Sequence, residues 1–487
     1  METSPAMPFT QTRRDEFDAI VVGSGPNGLA AAVTLAQASL SVLVLEARET
    51  IGGGTRSMEL TLPGFIHDVC SAVHPMAVGS PFFRTLPLQE HGLEWIHPEI
   101  PLAHPLGGDR AVSLRRSLAE TVKAIGSDGA RYEALLKPLV ENWWELAREF
   151  LQPMLHLPRN PIAFARFGSQ AIQPAQWLAK RFSQEPARAL FAGLAGHSFL
   201  PLNAPASAAF GLVLGAAGHA VGWPFPRGGA QKIADALAGY LQSLGGRIET
   251  GRVVENLSEL PRARAVFLDI APKGFLKIAG STLPAQYRRV LERFPYGPGI
   301  FKVDYALSDP IPWSAPECRR AGTVHVGGTS AEIAAAEETV ARKHTPAPRP
   351  FVLVAQPTVS DPTRAPSGKH VAWAYCHAPS GSLLDLTDPI EDQIERFAPG
   401  FRDCILARHI MNCADLERHN ANLVGGTVNG GSLDVWHLLA RPVLSPTPYR
   451  TPLPGVYLCS ASTPPGGGVH GMCGHHAARL ALRNLFR

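Results

Sequence analysis

Cysteine is scarce: seven in 487 residues, an odd number, widely spaced, with no C-x-x-C pair. That argues against a disulfide framework and for reduced thiols in a cytosolic-type compartment. No run reaches about 18 uninterrupted apolar residues, so no segment reads as a membrane span, although peripheral contact with a membrane stays open. The N-terminal METSPAMPFTQTRRDEF lacks an apolar core and is not expected to act as a secretory signal. Neither sign of charge is in excess. Lys and Arg number 45 and Asp and Glu 41, a net of +4, and the pairs Arg13–Arg14 and Arg319–Arg320 are isolated. Nucleic acid is therefore not an expected partner. No internal repeat is visible.

What remains is an ordinary globular composition, 45% hydrophobic and 18% charged, long enough for about three domain-sized units. The informative stretch is FDAIVVGSGPNGLAAAVTLAQASL, residues 17–40. The short apolar run AIVV has the composition of a strand buried on both faces. It meets Gly23-Ser24-Gly25-Pro26-Asn27-Gly28, and LAAAVTLAQA then has the composition of a buried helix. This is G-x-G-x-x-G between a strand and a helix. Gly23 permits the tight turn, Gly25 lets a pyrophosphate approach the backbone, and Gly28 lets helix and strand pack closely. The free amides of the helix start face the anion.

A second strand, SVLVLE, ends at Glu46, 18 residues after Gly28. That is close to the roughly 20 expected for an acid that accepts ribose hydroxyls. Ala47 and Arg48 follow, and then a second glycine-rich loop, Gly52-Gly53-Gly54-Thr55-Arg56. A second loop so soon suits FAD, which has more phosphate and ribityl to line, whereas a nicotinamide site would go on to another helix.

With VLEARETIGGGTRS, PGFIHDVCSAVHP (63–75), WPFPRGGAQKIADALAGYLQSLGGRIETGRVVENL (223–257), YGPGIFKVDYAL (296–307), ECRRAGTVHVGGT (317–329), SLDVWHLLARP (432–442) and GVYLCSASTPPGGGVHGMCG (455–474), nearly the whole chain resembles flavoproteins of the phytoene desaturase type. These lie within the superfamily of FAD-dependent amine oxidases and desaturases. The closest resemblance is to the pyridine nucleotide-disulphide oxidoreductase-domain, or phytoene dehydrogenase-like, branch. The resemblance implies an α/β fold, α+β overall. A discontinuous Rossmann-type FAD domain would span 16–75, 220–275 and 415–487. A substrate domain of mixed sheet and helices would span 76–219 and 276–414, with a helical lid. It also implies that the strand RIETGRVVENL lays Val254 along the adenine, and that ARAVFLDIAP (263–272) leaves the FAD domain.

The C-terminal stretch CSASTPPGGGVHGMCGHH crowds His470, Cys473, His475 and His476. A metal site needs three or four converging ligands, and no second cluster exists, so no metal is expected. A Cys473 nucleophile would need an orienting acid, and none is apparent. Covalent flavin attachment through Cys473 or a histidine is a further alternative. The flavin reading explains the most residues. A strand ends at Ser460–Ala461, and a loop through Val469 and His470 leads to a helix whose first amides, Gly471 and Met472, would face the electron-rich edge of the ring. Many relatives have Gly-Asp where this chain has Ser460–Ala461, so Ala461 can offer only backbone. Asn429–Gly430 stands where relatives often have His-Gly. His470 and His74 are the candidate acid–base residues, since imidazole titrates near neutrality; His67 lies in the same segment as His74, which approaches the flavin in the family that the chain resembles.

The expected activity is hydride transfer between a C–C or C–H centre of an apolar, isoprenoid or lipid-like substrate and flavin N5, reoxidised by oxygen or a quinone. The alternatives are a flavin-dependent isomerase or saturase, an amine or alcohol oxidase with Trp436 and Tyr457 as candidate aromatics, and a low-turnover flavin-binding interaction protein. Trp143 and Trp144 in the helical region belong to a lid over an oily substrate or to a plain helical core. Direction of reaction and oligomeric state are not specified by the sequence.

Overall fold

A computed structural model describes residues 17–486. The N-terminal stretch and the pair Arg13–Arg14 lie outside them. The chain builds two large sheets. The first is parallel and five-stranded, ordered Val456–Leu458, Ala263–Leu268, Phe17–Val22, Val42–Leu45 and Arg247–Glu249. Its inner strands Phe17–Val22 and Val42–Leu45 are apolar at nearly every position, as strands covered on both faces must be, whereas the edge strand Arg247–Glu249 is charged and exposed. The stretch ARAVFLDIAP thus supplies a strand directly beside the first one.

The helix Pro26–Ala36 follows the first strand and is almost entirely buried. It packs against Gln231–Ser243 on one side and Met472–Asn484 on the other. A Cβ on Gly474 would stand 1.8 Å from the carbonyl oxygen of Asn27. The first and last helices therefore touch backbone to backbone, which joins the two ends of the chain at one place. Gly245, at φ +87°, ends the run after Ser243.

The second sheet has seven strands, ordered Ile405–Met411, Gly299–Leu307, His370–Ala378, Val352–Ala355, Ala321–Val326, Ile100–Gly107 and Arg110–Leu114. All neighbours are antiparallel except Ala321–Val326 and Ile100–Gly107. One face packs on Phe301, Val303, Tyr305 and Val324. The other carries Ile300, Leu353, Trp373 and Tyr375 into the main core. Seven helices between Leu118 and Ala220 cover that side. The stretch RYEALLKPLVENWWELAREFLQ forms two of them, Gly129–Glu141 and Trp143–Phe150, broken at Asn142.

Two expectations change. RIETGRVVENL is a strand only over Arg247–Glu249. Gly251, at φ +66°, turns the chain, and the amide of Arg252 returns to the Glu46 carbonyl at 2.8 Å. Trp436 is 58% exposed, and Tyr457 stacks on Phe267 within the parallel sheet. Neither aromatic lies in the cleft described next.

Candidate dinucleotide and substrate site

One cleft of about 690 Å³ runs between the two sheets. At one end the strand Phe17–Val22 delivers Gly23, Ser24, Gly25, Pro26 and Asn27 to its wall. Gly23 takes φ +100°, and its amide donates to the Leu45 carbonyl at 2.8 Å. Gly28 sits within the turn rather than on the wall: a Cβ there would lie 2.1 Å from the Gly23 carbonyl oxygen. The amides of Gly25 and Asn27 have no partner among the described residues, and they stand at a helix start, where an anion is favoured.

Glu46, Ala47 and Arg48 line the same wall. The Glu46 carboxylate is already organised. It accepts from the Ser24 amide at 3.0 Å, the Ser24 hydroxyl at 2.5 Å and the Arg48 amide at 2.9 Å. The buried Arg56 guanidinium adds an ion pair at 3.1 Å. Gly53, Gly54 and Thr55 also line the cleft, as does Val254, which lies on loop rather than strand.

A residue the sequence reading did not single out closes this end. Asp269 follows the strand Ala263–Leu268 and accepts from the Gly28 amide at 2.9 Å. The side chain of Asn422 fixes it by donating to its carbonyl at 2.9 Å. Burial pushes the Asp269 carboxyl up to about 7, and the Glu46 charge adds to this while the Gly28 amide opposes it. A Cβ on Gly25 would stand 2.7 Å from the same carboxylate, so glycine is required there for packing as well as for ligand approach.

The C-terminal loop brings Ser460, Ala461 and Val469 to the opposite wall, next to Asn429 and Gly430. Its organiser is Arg441, also missed from sequence. Fully buried, Arg441 donates to the carbonyls of Ala461 at 3.0 Å, Ser432 at 2.9 Å and Asn429 at 2.6 Å. Burial lowers its guanidinium to about 10.

The structure sets His470 directly behind the cleft lining, next to Gly468. His470 is 1% exposed and is not among the cleft-lining residues; Gly468 and Val469 are. Its Nδ1 accepts from the Met472 amide at 3.1 Å, so the ring caps the last helix. That takes up the Met472 amide expected to face the flavin, and neither Gly471 nor Met472 lines the cleft. Cys473 is buried, and burial pushes its thiol up to about 12, away from the thiolate that a nucleophile needs. His475 bonds Thr34 and His476 bonds the Leu151 carbonyl, both as helix residues. Among the described residues no group of three or more His, Cys, Asp or Glu could hold a metal.

His74 does line the cleft. Burial lowers its imidazole to about 4, so it is neutral near pH 7. His67 lies behind the wall, 2.8 Å from Thr61. The far end of the cleft is floored by Ile300, Thr323, Leu353, Trp373 and Tyr375 and walled by Leu214 and Trp223. Trp373 and Tyr375 form a T-shaped pair 5.0 Å apart. Lys302 and Asp304 are fully buried on the same sheet face, paired with each other, and the Lys302 ammonium stands 5.7 Å from the Trp373 ring. Strand alternation could have placed Trp373 and Tyr375 on one face, but not against the cleft.

The residues present fit FAD. The glycine turn, the ribose acid, the second glycine loop and the C-terminal loop all face one continuous space. Residues 21–85 match the NAD(P)-binding Rossmann-like domain. The chain is 26% identical to the rat pyridine nucleotide-disulfide oxidoreductase domain-containing protein 2, over 97% of this chain and 94% of that one. An oxidoreductase from Methanosarcina mazei superposes with a TM-score of 0.64 at 17% identity, covering 95% of this chain and 99% of its own. Cyclohexylamine oxidase from Brevibacterium oxydans does so at 0.60 and 17%, covering 97% and 100%. Fold and site thus define a Rossmann-like dinucleotide-binding protein whose two-sheet architecture is shared with these solved oxidoreductases. Along 97% of its residues the chain is similar to the pyridine nucleotide-disulfide oxidoreductase domain-containing protein 2 of both rat and mouse.

Proposed function

We propose that the protein is an FAD-dependent oxidoreductase of the dehydrogenase or desaturase type, moving hydride between a C–H or C–C centre of an apolar substrate and the flavin. The observation that carries this reading is the continuity of the cleft from the Gly23–Gly28 turn to Trp373 on the second sheet. FAD, when bound, supplies hydride acceptance and donation. The rest is the work of the chain's own residues. Glu46 accepts the ribose hydroxyls, and the Gly25 and Asn27 amides meet the pyrophosphate. Arg252–Val254 flank the adenine side. Ser460, Ala461 and Val469 offer mainly backbone to the ring. Ile300, Leu353, Trp373 and Leu214 exclude water and orient the reacting carbon. His74, neutral and buried, is the group placed to hold a proton at an imidazole nitrogen.

The test is spectroscopic. The purified protein should carry bound flavin, and anaerobic addition of a substrate should bleach it. Protein that is colourless, and stays so after FAD is added, refutes the reading. The Trp373–Tyr375 pair and the likeness to cyclohexylamine oxidase favour an amine or alcohol oxidase as the second reading. Bleaching by amines but not by polyenes or oxygenated lipids selects it. Reduced flavin that turns over an unsaturated substrate selects the saturase or isomerase. No bleaching by any class leaves a flavin-binding interaction protein. The acceptor, oxygen or a quinone, follows from which one restores the colour.

The same reading includes a membrane as the source of an oily substrate. Residues 150–184 contain Arg159, Arg166, Lys180 and Arg181 and no acidic residue. They expose Leu155, Leu157, Ile162, Ile172 and Trp177. No helix among the described residues is long and apolar enough to cross a membrane, so contact would be peripheral. Co-sedimentation with anionic but not neutral vesicles, lost in Leu157→Asp/Ile162→Asp, is the expected outcome.

A further inference from the structure

The substrate end of the cleft is apolar in shape but not in chemistry. Thr323 pairs across the sheet with Ala355, and Ala355 with Trp373. The three share one face, with the smallest residue between the two polar ones. The Thr323 hydroxyl and the Trp373 indole N–H are buried without a partner, and so are both ring nitrogens of His74. These side chains are 4%, 9% and 2% exposed, and all three line the cleft. A buried donor left unpaired lowers stability. Valine or phenylalanine of nearly the same shape would remove that cost, so the polar atoms point to a ligand that pairs with them.

Charge narrows the ligand further. The charged side chains on the cleft wall are Glu46, Arg48, Arg56, Arg252, Asp269 and Lys277, all at the dinucleotide end. Lys302 and Asp304 lie on the substrate-side sheet face but neutralise each other. Burial holds His74 and His197 uncharged, with His197 lowered to about 3. An ammonium or carboxylate entering here would find no counter-charge, and burying such an ion unpaired is unfavourable.

We infer that the substrate is an apolar molecule bearing a neutral oxygen function, a carbonyl or hydroxyl, received by Trp373 Nε1–H and the Thr323 hydroxyl, and is neither a bare hydrocarbon nor a cationic amine. Indole N–H can only donate, so the ligand must supply an acceptor. A threonine hydroxyl both donates and accepts, so it can complete the pairing with either function. Trp373 and Thr323 therefore determine specificity by binding. This inference rests on the oxidoreductase reading for its chemistry but not for its test.

The test uses the FAD-loaded full chain, with flavin content confirmed by its absorbance, and four probes of one skeleton: farnesol, farnesal, farnesene and farnesylamine. Dissociation constants are measured by flavin difference spectra and calorimetry. Farnesol and farnesal should bind at least about tenfold more tightly than farnesene and farnesylamine, one tenfold step being about 1.4 kcal/mol. Trp373→Phe and Thr323→Val should each weaken the oxygenated probes about three- to tenfold. Both should leave farnesene unchanged. Equal binding of all four probes, preference for the hydrocarbon or amine, or no binding of the oxygenated pair overturns the inference while the flavin spectrum still stands. Protein that takes up no flavin overturns the oxidoreductase reading instead, and the calorimetric ranking of the probes still decides this one.

Discussion

The two ends of the cleft are finished to different degrees. At the dinucleotide end the carboxylates already have partners: Glu46 holds Ser24, Arg48 and Arg56, and Asp269 holds Gly28. At the substrate end Thr323, Trp373 and His74 keep buried polar atoms without partners. The first is a pre-organised cradle, stable before the ligand arrives. The second keeps side-chain polar atoms that an incoming ligand would pair. A cofactor that stays bound rewards rigidity, whereas a substrate that must be distinguished rewards groups whose pairing depends on it.

Breaking the cradle should have the largest effect. A side chain at Gly28 would meet the Gly23 carbonyl at 2.1 Å. Gly28→Val should therefore cost about 3 kcal/mol or more, and the protein should purify without flavin. Thr323→Val, by contrast, should retain it. Arg441→Met comes next. It strips the donors from the carbonyls of Asn429, Ser432 and Ala461, for a loss of about 2–3 kcal/mol. Chemical denaturation measures both. If the Arg441 variant unfolds like the parent, the loop does not depend on its guanidinium.

A third prediction separates the ends by pH. His74 and His197 at the substrate end are neutral in the fold, with pKa values lowered from 6.5 to about 4 and about 3. The unfolded chain takes up these protons near 6.5 and the folded chain does not. Their stabilisation is therefore full above 6.5 and is lost as pH falls toward 4. Urea midpoints should drop over that window. His74→Phe should flatten part of the slope, and an unchanged slope would show that other groups dominate.

The same contrast explains what could be read from sequence. The cradle is contiguous: Gly23, Gly25, Gly28, Glu46 and Arg56 lie on one strand–turn–helix–strand run, and phosphate recognition by backbone leaves glycines at fixed spacing. Asp269 was within reach, as an acid ending an apolar strand. Its place under the glycine turn depends on that strand lying beside the first, a pairing between residues about 245 apart that no local pattern encodes. Thr323, Leu353 and Trp373 come from three strands whose alternation marks a buried face without saying what covers it. For His470, spacing located the turn but not the ring, which the Met472 amide draws away from the cleft.

The smallest expected effect is the sharpest test of the cradle. Asp269 titrates near 3.8 in the unfolded chain and near 7 in the fold. The fold therefore holds an extra proton between those values, and stability falls as pH rises from about 4 to about 7 and is level above. The same ionisation places a negative charge beside the turn that receives the pyrophosphate. FAD affinity of the native protein should weaken between pH 6 and pH 8, by roughly two- to tenfold. Asp269→Asn keeps an oxygen to accept from the Gly28 amide and cannot ionise. Its FAD affinity should be the same at both pH values, and its stability should lack the downward slope. Fluorescence titration of the apoprotein with FAD at pH 6 and 8 reads both proteins. A native protein whose affinity does not change, or an Asn variant that weakens equally, would show that the carboxyl is already ionised at pH 6 or lies too far from the phosphates to matter.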